Sequence, residues 1–253
     1  MRELALFAGA GGGMLGGRLL GWRTVCAVEI NDYARSVLVA RQNDGCLDPF
    51  PVWGDIRTFD ARPLRGRVDV VSGGFPCQDI SSLGRRAGMD GDTRTGLWRE
   101  YARVLDECRP EWVFAENVPP LRYTGLGAVL ADLAALGYDA AWDTLGGDQV
   151  EAPTLRERLW VVAHANGVRL PLEQRILAEP EQAVRSANLV GAPWFREEPI
   201  AAASRILGMG DGLAPRVDRL HAIGNGQIPS VVALAWLKLS SRLLEAQEIA
   251  CQR

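Results

Sequence analysis

The sequence predicts an α/β protein: a mostly parallel sheet with helices on both faces, carrying a small irregular insert late in the chain. Three observations predict it. Short apolar runs rich in β-formers alternate with stretches of helical spacing. A glycine-rich turn follows the first of these runs. Between residues 166 and 212 the alternation fails, because Pro171, Pro180, Pro193 and Pro199 interrupt every period.

Taken in order, residues 2–7 read as a short buried strand ending in glycines. Thr24–Glu29 is a second apolar strand, and Asn31 is placed to cap the helix after it. Val68–Val71 and Trp112–Ala115 are further strands bounded by turn residues, with helical patterns at about 97–108 and 125–136. Arg158–Ala163 is the last strand of the series. Regular structure returns at Ile228–Leu244, an apolar helical stretch with Pro229 near its start. The expected organisation is a catalytic and cofactor-binding domain at 1–165, a small target-recognition region at 166–212, and a segment at 213–253 that returns to the first domain.

Composition excludes several classes. With 47% hydrophobic and 23% charged residues in 253, the balance is that of a water-soluble domain. No apolar run approaches the roughly 20 residues that span a bilayer. The N-terminus lacks a signal-peptide pattern, so the expected location is cytoplasmic. Five scattered cysteines without a CxxC pair fit neither a disulfide framework nor a zinc site. A net charge of −3 argues against nonspecific coating of nucleic acid, although Arg85, Arg86, Arg94 and Arg99 make one stretch locally basic.

The turn Phe7-Ala8-Gly9-Ala10-Gly11-Gly12-Gly13 lets backbone approach a ligand closely. Glu29, about 20 residues on, stands where an acidic side chain accepts hydrogen bonds from ribose hydroxyls, and Asp55-Ile56 is placed to flank an adenine ring. Taken alone, these residues read equally well as the nucleotide-binding turn of an NAD enzyme.

Three further groups carry chemistry. Pro76-Cys77-Gln78 follows the strand at Val68–Val71, where α/β proteins place ligands, and a thiolate there is a strong nucleophile. Glu116-Asn117-Val118 follows Trp112–Ala115, so its carboxyl can hold or donate a proton. Arg156 and Arg158 alternate in extended chain and suit a pyrimidine carbonyl or a phosphate. Taken singly, Cys77 is a structural cysteine in a turn and the arginines are a solvated face. Together, at successive strand ends, they are complementary.

The ordered set Phe7-Ala8-Gly9-Ala10-Gly11-Gly12, Glu29, Pro76-Cys77-Gln78, Glu116-Asn117-Val118, Arg156-Glu157-Arg158 and Gly224-Asn225-Gly226 resembles the DNA cytosine-5 methyltransferase family. The resemblance covers roughly residues 1–164 and 205–240, and the run Arg205–Pro229 looks most similar to phage- or prophage-encoded members.

It implies a Rossmann-like S-adenosylmethionine-dependent methyltransferase fold and transfer of methyl to carbon 5 of a flipped cytosine in a short duplex DNA site. By the same resemblance Cys77 is the nucleophile at carbon 6, Glu116 the acid at ring nitrogen 3, and Arg156 and Arg158 contact the base carbonyl and nearby backbone. Phe7, Ala8, Gly9, Gly11, Glu29, Ile30, Asp55, Ile56, Pro76, Leu97, Asn225 and Gly226 are carried into the cofactor pocket. Asn225 and Gly226 imply that the C-terminal helix packs back beside the first strand. Gln78, Ser81, Arg85, Arg86 and Arg94 fall in the stretch resembling the loop that closes over the target DNA. No metal is implied. The default assembly is a monomer, and a restriction endonuclease is a compatible but unnecessary genomic partner.

Thr154 stands where the family usually has glutamine, and Gly226-Gln227-Ile228 follows Asn225 where alanine and valine are usual. The region 166–212 is small for a recognition insert, so the expected target is short. There Trp194 and Phe195 read as a base-stack wedge or, more simply, as core. Competing readings are an RNA (tRNA) cytosine-5 methyltransferase, a catalytically inactive DNA-binding relative, and an NAD-type oxidoreductase. The last leaves Pro76-Cys77-Gln78 and Arg156-Glu157-Arg158 without a role.

Overall fold

The architecture is that of a computed structural model, which describes residues 1–76, 96–152, 154–167 and 226–251. The expected insert at 166–212 lies almost entirely outside the described residues.

Seven strands form one sheet: β1 (Arg2–Leu6), β2 (Arg23–Val28), β3 (Val52–Trp53), β4 (Val70–Gly74), β5 (Trp112–Asn117), β6 (Tyr138–Leu145) and β7 (Arg158–Ala165), in the order β3-β2-β1-β4-β5-β7-β6. Pairing is parallel from β3 through β5, and β7 runs antiparallel to both β5 and β6. The chain order reverses between β1 and β4. Crossovers leave on opposite faces there and open a crevice at the strands' carboxyl ends, where doubly wound sheets bind ligands.

Among the described residues the helices are α1 (Gly12–Leu19), α2 (Asp32–Asn43), α3 (Gly96–Cys108), a single turn α4 (Leu121–Thr124), α5 (Leu126–Ala135) and α6 (Pro229–Cys251). Side chains alternate across the strands and so feed two faces. Leu4 and Leu6, Val71, Val113 and Ala115, with Leu159 and Val161, face Tyr101, Val104 and Leu105 of α3 and Val129 and Leu133 of α5. Val70, Trp112, Phe114, Trp160 and Val162 face the opposite way, onto Val231–Trp236 and Leu239 of α6. Ala5 and Ala27 meet Met14 of α1 and Leu38 of α2 in a smaller third cluster. Burial on both faces explains why the strands read as continuous apolar runs.

Asn31 caps α2 as expected, its side chain accepting from the Ala34 N–H at 2.9 Å. The strand expected at Val68–Val71 lies later and includes Ser72-Gly73-Gly74, because β1 and β5 pair with Ser72 and Gly73 from both sides and β5 also pairs with Gly74. Ladder bonds there outweigh the low strand propensity of glycine. The helix expected over 125–136 is α5, and the separate turn α4 precedes it. The start of the C-terminal helix meets the end of β1 at one cleft, which Val232 lines together with Ala5 and Leu6. The helix also packs on α1 and on β6 and β7, and its Trp236 meets Trp22, just ahead of β2, edge-on at 4.6 Å and Trp112 of β5 at 5.0 Å.

Glu3 is buried in the middle of β1 and accepts hydrogen bonds from the Thr24 and Ser72 hydroxyls, each at 2.6 Å. Burial pushes its carboxyl pKa up, and the two hydroxyls only partly offset this. The folded-state value therefore lies above the unfolded one. Any stability tied to this group is complete below the unfolded pKa and is lost as pH rises through the folded one, at about 1.4 kcal/mol for each pH unit that separates the two values. Thermal melting across about pH 5 to pH 8 tests this: the Tm of Glu3→Gln should fall less steeply with pH than that of the parent chain. Parallel curves would show that Glu3 does not titrate in this way.

Candidate active site

Between β1 and α1 the chain turns through three positive-φ residues, Phe7 (50°), Gly9 (54°) and Gly11 (92°). Gly11 can N-cap α1 in that conformation because it has no Cβ to strain. Phe7 is held there by its ring, which stacks on Tyr101 of α3 at 6.4 Å. Glu29, at the end of β2, fastens the turn: one carboxylate oxygen accepts from the Gly9 N–H and the other from the Asn31 N–H, both at 2.7 Å. Ile30 beside it is 62% exposed, an apolar surface next to the turn.

Asp55 caps a short 3-10 turn, Ile56–Thr58, and accepts from the Arg57 N–H at 3.0 Å. Hydrogen bonds from Arg57 hold its carboxyl below the usual carboxylate range. Arg103 of α3 fixes this segment by donating to the Ile56 carbonyl at 2.7 Å and the Phe59 carbonyl at 3.0 Å. The same helix carries Leu97, half-buried, in its first turn. The turn, Glu29 and Asp55-Ile56 thus form a rim after the carboxyl ends of β1, β2 and β3, with Leu97 packed on the core that includes Ile56.

The chemical end begins where β4 and β5 finish side by side. Asn117 is buried; its amide donates to the Phe75 carbonyl at 2.8 Å, and its carbonyl oxygen accepts from the Val118 N–H at 2.8 Å. Asn117 therefore ties the end of β5 to the backbone leading to Pro76, which is exposed. Cys77, Gln78, Ser81, Arg85, Arg86, Arg94 and Asn225 lie outside the described residues.

Glu116 is the centre of the described site. The Arg158 Nε donates to its Oε1 at 2.9 Å, and the Gln227 Nε2 donates to its Oε2 at 3.1 Å. Both members of the ion pair are largely shielded from solvent, with side-chain exposures of 11% for Glu116 and 19% for Arg158. Burial pushes the Glu116 carboxyl above the ordinary carboxylate range, against the pull of the Gln227 hydrogen bond and the Arg158 and Arg156 charges. Arg156 lies in the same field: burial lowers its guanidinium pKa, Arg158 lowers it further, and Glu116 acts the other way. The result is a buried carboxyl, its pKa raised, held beside two cations.

One cleft joins both ends. Phe7, Ala8 and Gly9 of the turn line it with Gly73 and Gly74 of β4, Glu116, and Gly226 and Gln227 ahead of α6. The sequence profile of the C-5 cytosine-specific DNA methylases matches residues 1–198, more than half the chain and the whole of this rim up to Arg158. The chain belongs to that family.

Among curated relatives the chain is 37% identical over 172 residues to the Type II methyltransferase M.Eco47II of Escherichia coli, covering 64% of this chain and 39% of the relative. It is 30% identical over 200 residues to the Type II methyltransferase M.CviJI of Paramecium bursaria Chlorella virus IL3A, covering 78% and 50%. The chain thus spans half or less of the length of these relatives. A solved structure of an Entamoeba histolytica methyltransferase superposes with a TM-score of 0.62 over 92% of this chain and 96% of that one, at 13% identity, a likeness of fold.

The two departures from the family pattern have different structural weight. Thr154 is exposed, and its backbone packs on Gly147, while the Gly147 N–H donates to the Leu155 carbonyl at 2.7 Å. The segment before Arg156 is thus held by main chain. Gln227, by contrast, reaches the Glu116 carboxyl itself. Gln227, Asn117 and Gly74 are the site residues that sequence reasoning gave no role.

Proposed function

We propose that this C-5 methylase transfers a methyl group from S-adenosylmethionine to carbon 5 of a cytosine in duplex DNA, through a transient bond between Cys77 and carbon 6 of the base. The observation that carries the reading is the Glu116 carboxyl. It is buried, lifted in pKa and oriented by Arg158, and it opens into the cleft that the glycine turn lines.

The residues present fit the cofactor. A turn with only alanine and glycine after Phe7, a carboxylate at the end of β2 and an apolar Ile30 form a rim suited to a nucleoside. Phe7, Ala8, Gly9, Gly11, Glu29, Ile30, Asp55, Ile56, Pro76 and Leu97 would hold it, with Asn225 and Gly226 completing the pocket. When bound, S-adenosylmethionine supplies an electrophilic methyl group.

Cytosine is a weak nucleophile at carbon 5. Addition of the Cys77 thiolate to carbon 6 gives the ring enamine character, while Glu116 donates a proton or hydrogen bond to ring nitrogen 3. Arg158 and Arg156 stabilise charge developing on the base carbonyl. After carbon 5 is methylated, its proton leaves to a base, the carbon–sulfur bond breaks, and the thiolate is regenerated. The target must leave the duplex stack, at a cost of a few kcal/mol. Gln78, Ser81, Arg85, Arg86 and Arg94 are assigned to the DNA-facing loop. Residues 166–212 are assigned to target recognition, between a catalytic domain at 1–165 and a returning segment at 213–253.

The test is methyl transfer from isotopically labelled S-adenosylmethionine to duplex DNA, with Cys77→Ala alongside. Label on carbon 5 of cytosine for the parent chain, and none for the variant, is expected. Label on adenine, a preference for tRNA, an inert parent chain or an active Cys77 variant would overturn the reading.

A further inference from the structure

Three glycines of the cleft have no room for a side chain, and Gln227 lies against each of them. A Cβ on Gly12 would meet the Gln227 carbonyl oxygen at 2.5 Å and its backbone nitrogen at 3.0 Å. A Cβ on Gly13 would overlap the Gln227 Oε1, and one on Gly74 would overlap the Glu116 Oε2 and meet the Gln227 Nε2 at 3.2 Å. The Gln227 side chain therefore lies across the first turn of α1 and the end of β4, and its amide nitrogen reaches Glu116 at 3.1 Å. Partners 111 positions apart in sequence meet there.

We propose that Gln227 is a positioning residue for methyl transfer: its backbone packed on Gly12 and its carboxamide seated on Gly13 and Gly74, it fixes the Glu116 carboxyl opposite Arg158 and couples that acid to the turn that receives the cofactor. The proposal rests on the reading of Glu116 as the acid. Arg158 alone restrains one oxygen and leaves the carboxyl free to rotate about its last bond. The second donor removes that freedom, so the group is aimed before substrate arrives. An amide donor suits the task better than a third cation, because it orients the carboxyl without holding it fully ionised.

The test uses the full-length chain and Gln227→Met, which keeps the length and apolar bulk but removes the donor, with Gln227→Glu as an isosteric second variant should the first fail to fold. Two readouts are taken. In the first, the Glu116 carboxyl is titrated by carbon-13 NMR in the free protein, its resonance assigned with Glu116→Gln. In the second, kcat and KM for DNA are followed against pH. Losing the donor removes stabilisation of the ionised carboxyl, so Glu116 should hold its proton to higher pH by about one unit, and the alkaline limb of kcat should move the same way. At the optimum kcat should fall about tenfold, with KM for DNA unchanged. In Gln227→Glu, a second carboxyl should move the titration upward further. An unchanged Glu116 titration, or a loss of activity that only tracks a loss of melting temperature, would overturn the proposal. If the parent chain methylates no cytosine, the proposed reaction falls, and the NMR titration still decides what Gln227 does to Glu116.

Discussion

Glu116→Gln should lower kcat by about 10²- to 10⁴-fold, the range a positioned proton donor contributes, while leaving the fold intact. The substitution keeps shape and one acceptor for Arg158, so the 2.9 Å contact has a surviving partner. What it removes is the proton that burial makes available by lifting the carboxyl pKa. The sign of the pH dependence follows. In the proposed mechanism the protonated acid is the working form, so the rate should fall on the alkaline side as Glu116 ionises. Arg158 holds that ionisation at lower pH than burial alone would. Arg158→Ala should therefore move the alkaline limb upward even as it lowers the maximum rate. Steady-state kinetics across pH check both, and a Glu116→Gln enzyme with an unchanged profile would remove Glu116 from the chemistry.

Gly74→Ala is the second large effect and the least conservative-looking in outcome. One methyl group placed there overlaps the Glu116 Oε2. A flexible carboxylate would swing away at little cost, but this one is fastened by Arg158 and Gln227. The strand is equally constrained, since Gly74 pairs directly with Glu116 on β5. Relief must therefore come by displacing the acid. A shift of about 1 Å in a reacting group costs on the order of 100-fold in rate, and overpacking costs about 1–3 kcal/mol of stability. Gly127→Ala is the control: it adds the same methyl in α5, where nothing lies within 4 Å, and should leave rate and stability near the parent values or slightly raise stability. Equal activity in the two variants would show that the Gly74–Glu116 contact does not matter.

Much of this arrangement was legible in the chain before its structure. Phe7 to Gly13, Glu29 and Glu116 announced themselves because strand, turn and acid follow one another locally, and Asn31 because capping is a short-range act. β6 was not legible. It is an edge strand reading Tyr-Asp-Ala-Ala-Trp-Asp-Thr-Leu, with alanines where a strand signal needs branched residues, and its Asp143 is answered by Lys238 and Arg242 from the far end of the chain. β3, at two residues, is too short to carry a period. The placement of α6 depended on Trp22, Trp112 and Phe114 assembling an aromatic wall, which no local pattern encodes. Gln227 is the clearest case. It looked like a deviation from a motif, and its role became visible only when Gly12, Gly13 and Gly74 were brought against it from two other elements.

Covalent trapping tests the role of the Cys77 sulfur, on which the proposed reaction turns, most directly. Duplex DNA carrying fluorine at carbon 5 of its cytosines should, with S-adenosylmethionine, form an adduct that survives denaturation, because fluorine cannot leave as the proton does. Mass spectrometry of the digested adduct should place the modified base on the peptide containing Cys77. Turnover of ordinary cytosine without any trapped adduct, or an adduct at another residue, would contradict the proposed mechanism.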